Sequence, residues 1–289
     1  MRMLVTGRHG QLARCLAERG GDAIILAGRP DLDLAIPGTA RAAILAERPD
    51  LVVNAAAFTA VDLAKTEEEA ALLVNAVAAG EVAAAASELG VPVIHISTDY
   101  VFDGRAAEPY AETAATNPIN AYGRTKLAGE DAVRTANPDH LILRTSWLVS
   151  PFGKNFVRTM VDLGQQRDSL SVVADQYGNP TSALDLADAI LAVAHRWAAA
   201  DRTGMGQTYH LAGSGIASWF DLAVAVQDEL TRLGLKSATV TPITTADWPT
   251  PAARPAYTAL DCAKFTREFG HTMPDWWASL GPIVARLAA

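Results

Sequence analysis

Met3-Leu4-Val5-Thr6-Gly7-Arg8-His9-Gly10-Gln11-Leu12-Ala13 decides the fold. Three apolar residues run into a GxxGxxA turn, and an amphipathic stretch over residues 11–19 follows. Glycine at 7 permits a tight turn, glycine at 10 lets a phosphate approach the backbone, and alanine at 13 keeps helix and strand close. A helix that starts at such a turn points free N–H groups and its positive dipole end at whatever lies above it, so Gly7 and Gly10 mark a place for a pyrophosphate. The motif alone is common. Its weight comes from the setting between a strand and a helix.

Outward from this unit, short apolar runs alternate with alanine-rich amphipathic stretches. Residues 23–26, 51–54, 93–97 and 141–145 read as strands, and 39–47, 67–89 and 121–135 as helices. Pro49 closes the first of these helices and Gly90 the second. The strands are continuous apolar runs, as in parallel sheets covered on both faces. The expected fold is therefore α/β, a doubly wound parallel (Rossmann) sheet with a smaller C-terminal substrate-binding domain. After Trp147 the rhythm loosens, with helices expected at 155–165, 184–197 and 219–233, strand-like segments at 170–173 and 209–211, and then a proline-rich stretch holding Pro242, Pro249, Pro251 and Pro255. The expected division is 1–148 for a dinucleotide, with 183–213 returning to it, and 149–289 mainly for substrate.

Composition narrows the function. Of 289 residues half are hydrophobic and 19% charged, which supports a sizeable core. A net charge of −8 offers no electrostatic footprint for nucleic acid or an anionic membrane, so an anionic ligand needs a local basic pocket. Cys15 and Cys262 form no CxxC pair and the six histidines stand singly, so no metal site is expected. No leader segment and no apolar run of about 18 residues is evident, which points to the cytoplasm.

Gly28 and Arg29 end the second strand, where NAD-selective folds place an acid for the ribose hydroxyls. Arg29 can neutralise a 2′-phosphate instead, so NADP(H) is favoured and NAD(H) comes second. Asp33 falls near the adenine position. Asn54-Ala55-Ala56-Ala57 closes the third strand with small side chains over which a cofactor can lie. Tyr122 and Lys126, at i and i+4, share one helix face. An ammonium beside a phenol favours the phenolate and makes the tyrosine a better proton shuttle. Thr98, at the end of the fourth strand, can hydrogen-bond a reacting carbonyl.

These motifs together resemble the short-chain dehydrogenase/reductase superfamily. Longer strings resemble the dTDP-4-dehydrorhamnose reductases within it: residues 52–62, Ser97-Thr98-Asp99-Tyr100-Val101-Phe102, Tyr122-Gly123-Arg124-Thr125-Lys126, residues 143–147, Asp175-Gln176-Tyr177-Gly178-Asn179-Pro180-Thr181 and residues 250–255. The resemblance runs nearly end to end. It implies that Gly10, Gln11 and Leu12 wrap the cofactor phosphates, that Asp33 and Leu34 lie by the adenine, and that Ala57, Phe58 and Thr59 line the cofactor. It implies Tyr122 as proton donor, Lys126 as its partner and Thr98 as carbonyl ligand, with Thr98, Asp99 and Trp147 on the sugar. Asn155 and Arg254 are candidates for the substrate diphosphate. The implied reaction is reduction of the C4 ketone of a nucleotide-linked deoxysugar.

Three rivals are set against it. Sugar dehydratases of the superfamily carry an acid where this chain has Tyr100. A 4-ketosugar reductase of an antibiotic pathway would share every motif. A non-catalytic regulatory relative would have no need of the Thr98–Tyr122–Lys126 set. Some family members join through magnesium between glutamates, at places that here hold Cys15 and Leu184, so a monomer or weak dimer without that metal is expected.

Overall fold

Six parallel strands carry the molecule, described over residues 1–289 by a computed structural model. They are β1 (Met3–Thr6), β2 (Ile24–Ala27), β3 (Leu51–Asn54), β4 (Val93–Thr98), β5 (His140–Thr145) and a sixth, Gln207–His210. Their spatial order is Gln207–His210, β5, β4, β3, β1, β2. Side chains alternate across each strand, and this sorts the core into two layers. Met3, Val5, Leu51, Val53, Ile94, Leu141 and Leu143 face a layer closed by helices Gln11–Gly20 and Ala183–Ala198. Leu4, Val52, Val93 and Ile142 face the other, under helices Thr39–Glu47, Ala78–Glu88 and Ala121–Ala136. Both layers bury apolar surface, which is why the strand sequences are uninterrupted runs. The sheet is the doubly wound one expected.

The stretch read as one helix over 67–89 is Glu68–Leu72, a π turn at Leu73–Val77 and Ala78–Glu88. By length and composition Glu68–Glu88 could cross a membrane, which corrects the expectation that no stretch could. Half of it is buried within the fold, packed against Ala121–Ala136 and the neighbouring helix Thr39–Glu47.

A third cluster gathers Val149, Val157, Val161, Leu170, Leu222, Val226 and Val284 from the C-terminal part. The proline-rich stretch is not all loop: Thr239–Ile243 pairs in parallel with Ser169–Val173. Pro242 is tolerated because each strand of this two-stranded sheet is an edge, where a missing N–H leaves no ladder bond unmade. Helix Trp276–Ala288, which the sequence pattern does not announce, packs on Trp219–Arg232. Cys15 and Leu184, the positions compared with metal-binding glutamates, are both buried in the first core layer.

Candidate active site

The chain leaves β1 toward β2 on one side and β3 lies on the other. Connections part at that point and open a crevice at the strand ends. A cleft of about 810 Å³ lies there. Its floor begins with the glycine turn. Gly7 has φ +84°, and a Cβ there would stand 3.2 Å from Ala56 Cα. The turn is closed by Gly10 N–H donating to Gly7 O at 2.6 Å. At Gly28 a Cβ would come within 2.8 Å of Arg8 Cβ, so only glycine lets the two loops touch.

Gly7, Gly10, Gln11 and Leu12 line this end, followed by Arg29, Asp33 and Leu34 and then Ala55, Ala56, Ala57, Phe58 and Thr59. The structure thus brings together every residue singled out for a dinucleotide. It adds Arg8, inside the glycine turn, which pairs with Asp31 at 3.5 Å and donates from Nε to Leu26 O at 3.3 Å. Asp33 spends its carboxylate on the Ala35 N–H at 3.0 Å. A bare glycine loop over a helix N-terminus, small side chains on β3 and cations at the β2 end form a cradle that fits a phosphorylated dinucleotide.

The chemistry sits deeper. Helix Ala121–Ala136 is capped by Asn120, whose Oδ1 accepts from Gly123 N–H at 2.8 Å and whose Nδ2 donates to Ala253 O at 2.9 Å. A Cβ at Gly123 would fall 2.1 Å from Tyr100 O, so glycine between Tyr122 and Lys126 is what seats the helix on the loop after β4. Tyr122, Lys126 and Thr98 all line the cleft. Burial pushes the Tyr122 phenol up to about 12, and the Thr98 hydroxyl beside it draws it only partly back. The expectation that the lysine favours the phenolate is not met in the unliganded chain: burial is the largest influence on Tyr122, and Lys126 turns elsewhere. Its Nζ donates to Ile96 O at 2.7 Å and lies 3.4 Å from His95 Nε2. Burial lowers Lys126 to about 8, with Glu130 opposing.

Asn75, in the π turn, was not singled out in the sequence. Its Oδ1 accepts from Phe58 N–H at 2.8 Å and its Nδ2 donates to Thr125 Oγ1 at 3.0 Å, tying the segment after β3 to helix Ala121–Ala136. Its only sequence signal is a polar residue amid an apolar helix face.

At the far end, Asp99 accepts from Thr98 Oγ1 at 3.0 Å and Ser146 Oγ at 3.1 Å. Burial raises its carboxyl to about 6. Trp147, at φ +41°, lies flat on Trp219 with ring centroids 3.5 Å apart, and both Asp99 and Trp147 line the cleft. Asn155 and Arg254 do not. Asn155 caps helix Phe156–Gln166, accepting from Arg158 N–H at 3.0 Å, and its amide N–H is spent on Gln11 and Ser150. Arg254 is paired with Asp62 at 2.9 Å. Both are therefore corrected as cleft residues. The cation of this segment that does line the cleft is Lys154, which the sequence reading passed over. Tyr100 packs edge-on to Tyr122 with its phenol raised by burial, so no ionisable acid stands at the dehydratase position.

A family model described as the RmlD substrate binding domain matches residues 1–289. The chain belongs to this family. The RmlD-type chain is 47% identical over 289 residues to a dTDP-4-dehydrorhamnose reductase of Sinorhizobium fredii, covering 98% of this chain and 97% of that one. It is similar to the crystal structure of a dTDP-4-dehydrorhamnose reductase from Clostridium acetobutylicum, with TM-score 0.91 and 38% identity over 100% of both chains. It is also similar to a dTDP-4-dehydrorhamnose reductase from Bacillus anthracis solved in complex with NADP, with TM-score 0.89 and 35% identity over 98% of both chains. The resemblance drawn from the motifs is borne out.

Proposed function

We propose that this RmlD-family chain reduces the C4 ketone of dTDP-4-dehydro-L-rhamnose to dTDP-L-rhamnose, using NADPH first and NADH second. The observation that carries the proposal is the convergence of Thr98, Tyr122 and Lys126 in one cleft with the glycine turn and the β3 alanines. The bound nicotinamide would supply hydride. The chain's own residues do the rest. Tyr122, a neutral phenol at pH 7, holds the proton that the developing alkoxide needs. The Thr98 hydroxyl, which here donates to Asp99, turns to the ketone oxygen and stabilises its charge. Trp147, held flat by Trp219, gives the sugar an apolar wall. Arg8 and Arg29 meet a 2′-phosphate, and Lys154 meets a diphosphate.

On this reading residues 1–148 with 183–213 hold the cofactor and the remainder holds the sugar, in a cytoplasmic monomer or weak dimer. The test is oxidation of NADPH and of NADH with dTDP-4-dehydrorhamnose, wild type beside Tyr122→Phe. Oxidation that falls about 10²-fold or more in the variant, with cofactor binding retained, supports the reading. No oxidation of either cofactor by the wild type overturns it.

A further inference from the structure

The ends of β1 and β3, the middle of β4 and helix Ala121–Ala136 share a buried chain of hydrogen bonds, and its direction can be read. Thr6 Oγ1 accepts from the backbone N–H of Ala55 at 3.1 Å and of Ala56 at 3.0 Å. Both lone pairs are used, so its single hydrogen must donate, and it does so to Asn54 Oδ1 at 2.8 Å. That fixes which end of the Asn54 amide faces Thr6. The other end, Nδ2, then donates to His95 Nδ1 at 3.1 Å, across the register in which Asn54 and His95 are partners on β3 and β4. An Nδ1 that accepts leaves His95 neutral with its hydrogen on Nε2. Nε2 lies 3.4 Å from Lys126 Nζ. A donor is thus aimed at the lysine, and an ammonium there would set N–H against N–H.

We infer that His95 is a positioning residue that governs the protonation of Lys126, its Nε2–H aimed at Nζ by the one-way Thr6–Asn54 chain. The surroundings agree. His95 is fully buried, which holds its own protonation well below the usual histidine range, with Lys126, Arg134 and His140 adding to the effect. On the helix, Glu130 favours the ammonium, but its carboxylate is already engaged by Arg144 from β5 at 2.7 Å, by Arg134 at 2.8 Å and by Ser97 from β4 at 2.6 Å. Tyr122 is a neutral phenol, and Asp99 is held by Thr98 and Ser146. With Ile96 O as fixed acceptor and His95 as fixed donor, the amine form of Lys126 has both its partners in place. A lysine poised this way loses and regains a proton near working pH. This rests on the reading of Tyr122 and Lys126 as the proton-transfer pair.

The direction makes the test one of sign, and the readouts need no cofactor. In the unliganded chain, ¹⁵N-labelled histidine reports the His95 tautomer, and ¹³Cε shifts follow the five lysines with pH, Lys126 being assigned by Lys126→Arg. Expected are an Nε2–H tautomer and a Lys126 midpoint near 8. Asn54→Asp turns the amide donor into an acceptor, so His95 should move to Nδ1–H and the Lys126 midpoint should rise by about one unit or more. In the reductase assay the alkaline limb of kcat should move the same way. An Nδ1–H tautomer in the wild type, or a Lys126 midpoint that falls or stays in the folded variant, overturns the inference. A chain that shows the expected titrations but reduces no ketosugar overturns the function and leaves His95's control of Lys126 standing.

Discussion

Asp99→Asn turns a buried titration into a measurable stability difference. Asp99 is 3% exposed, and burial raises its carboxyl from 3.8 to about 6, while the hydroxyls of Thr258, Thr98 and Ser146 draw it down. In the unfolded chain it ionises near 3.8. Between these values the folded chain keeps a proton that the unfolded chain has lost, so stability falls as pH rises from about 4 to about 6 and stays lower above that. Two units at about 1.4 kcal/mol each give about 3 kcal/mol. The amide removes this titration. It also keeps an acceptor for only one of Thr98 and Ser146, and turning the other hydroxyl costs about 1 kcal/mol. The variant should therefore be less stable than wild type by about 1 kcal/mol at pH 3 and more stable by about 2 kcal/mol at pH 8. Urea denaturation of both chains at unit steps of pH measures the difference, and background titrations cancel between them. A stability difference that is flat with pH would refute the reasoning, because a buried carboxylate would then carry no desolvation penalty.

Glu130→Gln should cost about 3–5 kcal/mol in denaturant unfolding, since it leaves the buried Arg144 guanidinium without a counter-charge, and a loss under about 1 kcal/mol would mean the pair is solvated. Arg29→Ala should raise KM for NADPH about tenfold or more and leave NADH nearly unchanged, since a charge-assisted bond to a phosphate is worth about 1.5–3 kcal/mol; an equal effect on both cofactors would remove Arg29 from the 2′-phosphate. A double-mutant cycle on Arg254→Ala and Asp62→Ala should give a coupling of about 1 kcal/mol in stability, because the pair ties the loop at 252–254 to helix Val61–Ala64, and absence of coupling would return Arg254 to the list of free cations.

What was legible in the sequence was legible for local reasons. The glycine turn, the uninterrupted strands and the Tyr122–Lys126 spacing each depend on neighbours within one strand–helix unit, so the residues themselves carry the pattern. The C-terminal part does not work this way. Thr239–Ile243 is a strand only because Ser169–Val173, seventy residues earlier, offers it a partner, and helix Trp276–Ala288 holds Pro282, which argues against a helix unless packing supplies the stability. The failures at the site have the same origin. Asn155 and Arg254 looked like free hands for a diphosphate because a sequence cannot show that one is consumed as a helix cap and the other by Asp62. Lys154 belongs to no motif, and only the fold puts it on the cleft wall. The ionisation of Tyr122 misled for a further reason: spacing placed Lys126 one turn away, but only the sheet register shows that Ile96 O and His95 hold its amino group. A motif therefore states which groups share a helix face. Which of them carries the proton is decided by donors and acceptors that reach it from β1, β3 and β4, and that order of bonds exists only once three distant segments lie side by side.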